Sequence, residues 1–94
     1  MLTVADLATI NAAVKARKAY DLAVDSPCPA WPYVARVMRT TADGLRALVG
    51  EGKMLRSFWE CHEDRAQHAL DEYRAQRRKL DAETLRMGMV EVRP

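Results

Sequence analysis

The stretch CHEDRAQH, Cys61 to His68, sets a thiol, two imidazoles and two carboxylates within eight residues. Such groups could ligate a metal ion or carry nucleophilic and acid–base chemistry, provided their spacing lets them converge. On a helix it does not. His62 and His68 point in directions differing by about 120°, whereas a helical zinc motif needs two histidines four residues apart on one face. Cys61 and His68 share a face but lie two turns apart, roughly 10 Å, too far for one zinc ion. Asp64 and His68 alone are placed to chelate together, and two ligands do not make a protein metal site. The stretch therefore reads as a solvated acidic face with an Asp64–His68 pair, and no metal or other cofactor is expected. Acidic helical neighbours oppose thiolate formation at Cys61, and Cys28 sits between two prolines with no base nearby in sequence. No catalytic residue is assigned.

The GEGK of Gly50 to Lys53 fails as a phosphate loop. The motif needs Gly six residues before the Lys and Ser or Thr after it, where this chain has Ala47 and Met54. It reads as a helix–helix turn. Two sets of residues point to binding. Trp31, Trp59, Tyr73, Arg77 and Leu80 are of the types that anchor protein interfaces, with Trp31 held in the proline-rich PCPAWP. Arg36, Arg39 and Arg46 on one helix, with Arg74 and Arg78 on another, could instead touch phosphates or an acidic partner. No base-reading motif accompanies these arginines, and the net charge is only +2.

The elements that carry these residues are helical. The 94-residue chain is rich in Ala, Leu, Arg, Glu and Lys and has four glycines and four prolines, so one small domain with one core is expected. Thr3-Val4-Ala5-Asp6 is a capping box that starts a helix over about 4–24. The DSPCPAWP segment must break it. A second helix is predicted over 32–49, stopped by Gly50-Glu51-Gly52, and a third over 53–87, capped by Gly88, leaving 89–94 as an extended or flexible tail.

The third helix would be roughly 50 Å long and the other two about 25–30 Å. The fold class is thus all-α: a single domain over 1–88, with two shorter helices packed on one long C-terminal helix and self-association completing it. Its inner stripe includes Leu55, Phe58, Trp59, His62, Ala66 and Ala69, and a seven-residue recurrence runs on through Tyr73, Leu80 and Met87. Its acidic first half and basic second half suit an antiparallel pairing of two copies. Helix 1 carries an alanine ridge, Ala5, Ala8, Ala12, Ala16, Ala19 and Ala23, with Leu7, Ile10 and Val14 nearly opposite. A helix apolar on two faces wants two neighbours.

No segment is apolar over the ~20 residues needed to span a bilayer, and the N-terminus, with Asp6, does not resemble a signal peptide. Two cysteines make no disulfide framework. The expectation is a cytoplasmic, non-catalytic helical interaction protein that occludes or scaffolds another macromolecule, as an inhibitor or adaptor does. A protein partner and a homodimer or higher oligomer through the long helix are expected. The alternative is a nucleic-acid or nucleotide-phosphate binder using the arginine faces.

Overall fold

A computed structural model of the protein describes the backbone of residues 1–92 and the side chains of residues 1–85. Three helices form: α1 (Val4–Asp25), α2 (Trp31–Gly50) and α3 (Arg56–Val92). The first start signal works as read. Thr3 Oγ1 accepts from the Asp6 amide at 3.1 Å, while an Asp6 carboxylate oxygen accepts from the Thr3 amide at 2.9 Å, so two otherwise unpaired donors are satisfied together. Lys53, in the turn before α3, donates to the same carboxylate at 2.8 Å. With the Lys53 ammonium and the Thr3 amide donating to it, the Asp6 carboxyl falls from its usual 3.8 to about 2.

At the other end of α2, Gly52 adopts φ 73°. Its amide bonds the Val49 carbonyl, and the Lys53 amide bonds the Leu48 carbonyl at 2.9 Å. This is a Schellman closure, which needs a residue tolerant of left-handed backbone. The turn delays α3 to Arg56, three residues later than the composition predicts.

The side-chain links give the topology. Thr9 lies against Gly44 and Tyr20 against Trp31, so α1 and α2 are antiparallel. Arg39 bonds Glu63 and Thr41 bonds His62, so α2 and α3 are antiparallel as well. Asp6 with Lys53 and Tyr20 with His68 run in step, making α1 and α3 parallel.

Helix α2 is the shared neighbour. Val34, Ala35, Met38, Ala42, Leu45 and Leu48 are buried on it, and Met38 and Ala42 are wholly enclosed. Against this face α1 lays Ala13, Ala16 and Ala23, and α3 lays Ala66 and Ala69. Small side chains let both outer helices come close to α2. The alanine ridge expected on α1 is only partly used: Ala16 and Ala23 are buried, but Ala5, Ala8 and Ala12 are exposed.

Two members of the expected α3 stripe also fall outside it. Leu55 is in the turn and Phe58 is rotated towards α1, and both are exposed.

The long helix outruns the other two, and the molecule is 68 Å long against cross-sections of 23 and 21 Å. Tyr73 and Gln76 are the last residues of α3 to turn inward, Gln76 donating to the Pro29 carbonyl at 3.2 Å. From Arg77 to Leu85 every side chain is exposed. The helix passes Gly88, where a cap is predicted, and ends at Val92. Glycine costs a helix about 1 kcal/mol but does not by itself stop one. The predicted tail is therefore helical over 89–92, while residues 93–94 and the Met87 side chain lie outside what is described.

Helices α1 and α2 approach closely at Gly44, where a Cβ would stand 2.8 Å from the Thr9 methyl. Gly44→Ala should lower stability by about 1 kcal/mol, because overpacking costs ~1–3 kcal/mol and helix propensity returns up to ~1. In a Thr9→Ser background, which removes the methyl, the same change should be neutral or stabilising. Urea unfolding of the four proteins measures this; equal effects in both backgrounds would show that the contact does not limit helix approach.

Candidate interaction groove

Because α1 and α3 each spend their small-residue face on α2, they do not close against each other. An open groove of about 380 Å³ lies between them. Its α1 bank is Ile10 and Val14, its opposite bank is Met54 of the α2–α3 turn with Phe58 of α3, and Ala13, Leu45 and His62 form the floor. Large apolar side chains stand exposed along it, Val14 at 48% and Phe58 at 66%, and Leu7, also 48% exposed, lies on the same side of α1 two turns before Val14. Arg17 and Lys18 are the only charged side chains in the lining. Arg65, one turn beyond Cys61 on α3, bonds the Cys61 carbonyl at 3.0 Å. Past this basic end the Tyr20 hydroxyl and His68 Nδ1 hydrogen-bond across from α1 to α3.

His62 is held in the floor at 5% exposure. Thr41 Oγ1 lies 2.6 Å from the Val37 carbonyl and 2.8 Å from His62 Nε2. The threonine donates to the carbonyl, so it accepts from Nε2–H, which leaves Nδ1 as the unprotonated nitrogen. Burial pushes the His62 pKa down, Arg17, Arg65 and Arg39 add to the shift, and Glu63 opposes it. The imidazole is neutral at pH 7.

The sequence-predicted binding residues do not gather in one place. Trp31 opens α2 and is buried, its ring edge-on to Tyr20 and His68 at 6.2 and 6.0 Å. It closes the end of the core and offers no free aromatic face. Trp59 is half-buried, with the Arg46 and Arg56 guanidiniums 5.7 and 5.9 Å from its ring centre. Its Nε1 is buried without a partner.

Tyr73 packs on the far end of the core and its hydroxyl accepts from Arg77 at 3.3 Å. Arg77 is exposed beside Asp81, and Leu80 is 57% exposed on the projecting part of α3.

Of the arginines, Arg36 is exposed over Tyr33. Arg39 is committed to Glu63 through both guanidinium nitrogens and to Asp43 at 3.0 Å, which raises its pKa further. Arg74 and Arg78 are exposed on α3.

His68 does not pair with Asp64; its Nε2 faces Glu72 at 3.4 Å, because Tyr20 captures Nδ1 and orients the ring. Among the described residues no three His, Cys, Asp or Glu side chains converge as metal ligands, and no helix is long and apolar enough to cross a membrane.

The groove is the feature sequence reasoning missed, although its signal was present. Leu7, Ile10 and Val14, opposite the alanines, are the outer apolar stripe of α1. Comparison with protein families, curated proteins and solved structures finds no match for this chain.

Stability should fall as pH drops below about 6.5, because the unfolded chain protonates His62 at its ordinary value while the folded one resists. The lowered folded pKa means the histidine's contribution is complete above 6.5 and is lost below it. Guanidinium unfolding at pH 7.5 and 5.5 measures the loss. His62→Gln, which retains a donor for Thr41, should flatten the profile; an unchanged slope would assign it to other groups.

Proposed function

We propose that the protein is a non-catalytic interaction module that receives a helix of a partner protein in the α1–α3 groove, and so occludes or scaffolds that partner. The observation that carries this is the unclosed groove, with Val14 and Phe58 exposed on its banks. A three-helix arrangement in which two parallel helices share one neighbour lacks a fourth helix at the open side, and an amphipathic helix laid in such a groove buries apolar surface on both. Exposed apolar residues this concentrated mark interaction surfaces. Two free thiols suit the reducing cytoplasm.

Self-association along α3 has narrower support. Leu80 and Leu85 are exposed where α3 has no neighbour in the chain. However, Glu60, Glu63 and Glu72, which antiparallel pairing would draw on, already face Arg56, Arg39 and His68. Phosphate binding loses Arg39 in the same way.

The test compares tagged wild type, Val14→Asp and Leu80→Asp as bait in extracts of the source cells. Both substitutions fall on exposed positions, and circular dichroism checks the fold. The expected result is a protein held by wild type and Leu80→Asp and reduced at least about tenfold by Val14→Asp, a loss of ~1.4 kcal/mol or more. Cys61 lines the groove, so in a Cys28→Ser background its alkylation should slow in the complex. A captured set indifferent to Val14→Asp, or unchanged Cys61 reactivity, would overturn the reading.

A further inference from the structure

We infer that the helix received by the α1–α3 groove is acidic at one end, with carboxylates flanking its apolar face where it lies against Arg17, Lys18 and Arg65. This rests on the groove being a helix-docking site and adds the chemistry of the partner. The groove is asymmetric along its length, apolar at one end and basic at the other. Ile10, Val14, Met54 and Phe58 make one end apolar, and no carboxylate lines the cavity.

At the other end the cations are weakly engaged. Arg17 meets Asp21 at 3.3 Å on the same helix, with both side chains largely in water, and such a pair contributes little and exchanges readily. Arg65 reaches only a backbone carbonyl, and among the described residues Lys18 has no ion pair. His62, neutral beneath them, does not offset their charge. A neutral or basic occupant would cover three cations without compensation, whereas carboxylates set opposite them steer the encounter and fix its register.

The same charges argue against the other occupants. The projecting part of α3 from a second copy carries Asp81 and Glu83 but also Arg77, Arg78 and Lys79, so it offers Arg17 and Lys18 no carboxylate end free of opposing cations. A small amphiphilic anion would satisfy the cations but would leave much of the exposed bank bare, since Leu7 to Lys18 spans about three helical turns. In an amphipathic helix, apolar residues at i, i+3, i+4 and i+7 cover about two turns, as Leu7 to Val14 do, and one further turn would bring carboxylates to Arg17 and Lys18.

The experiment is a selection from a displayed library of helical peptides with leucine at those four positions and randomised flanks, using the intact protein as bait. Val14→Asp and the double variant Arg17→Glu/Lys18→Glu are run in parallel. Wild type should enrich Asp and Glu at one end of the selected peptides, and the double variant should enrich Lys and Arg there. A selected acidic peptide should bind the double variant about tenfold or more weakly, because like charges then face each other.

Binders that depend on Val14 but show no acidic bias would overturn this inference and leave the docking groove standing. Absence of any Val14-dependent binder would overturn both. A dimer in sedimentation equilibrium that Val14→Asp dissolves would assign the groove to a second copy and overturn the acidic partner.

Discussion

The structure depends on α2 serving as the common neighbour of both other helices. A helix can be enclosed from two sides only if its apolar arc is wide and its neighbours come close. Helix α2 meets the first condition with buried positions that run from Leu48 through Val34, Leu45 and Met38 to Ala42 and Ala35, an arc of about 140° at 100° per residue, and Met38 sits wholly enclosed. The alanines of α1 and α3 meet the second. Close approach maximises dispersion contact with few large side chains, because interiors of this kind gain from density rather than from bulk. Truncating Met38 would therefore cost at the upper end of the ~2–5 kcal/mol range for buried large residues, since alanines on both sides cannot swing in to fill the space.

That solution has a geometric consequence. Each outer helix turns its smallest side chains inward, so its larger apolar residues are displaced to its flank. On α1 the flank carries Leu7 and Val14, and on α3 it carries Phe58, all exposed. The parallel pair is tied at its ends by polar contacts, Asp6 with Lys53 and Tyr20 with His68. Between these two clasps there is room for side chains from elsewhere. The groove and the core are thus one packing decision seen from two sides, and a change that let α1 and α3 close would also strip α2 of its alanine contacts.

Local signals in the sequence carried much of this. The Thr3–Asp6 capping box and the proline break both appear where turn chemistry puts them. Other features depend on contacts that local pattern does not encode. Ala13 is not on the alanine ridge, yet it is buried, because the tertiary axis of α1 is rotated from the ridge. Phe58 looks like core by spacing, and only the position of α1 shows that it lines an opening. His68 looked like a partner for Asp64 until Tyr20, 48 residues away, took its Nδ1. Gly88 failed as a stop because a glycine ends a helix only when the chain beyond it turns.

Charge completes the argument for what the surface asks of a partner. In the bundle the carboxylates are largely answered from within: Asp6 and Glu51 by Lys53, Asp43 and Glu63 by Arg39, and Glu60 by Arg56. Two cations thus serve four of these carboxylates, which releases others of their sign. Lys18 and Arg65 stand at the basic end of the groove, and Arg36 and Arg46 lie over exposed or half-buried aromatic rings. A net charge of +2 does not show this distribution, because each cation shared by two carboxylates leaves a negative cluster there and a surplus of cations elsewhere. Long-range attraction would favour an acidic partner before any apolar contact forms, and the apolar banks would then decide whether it stays.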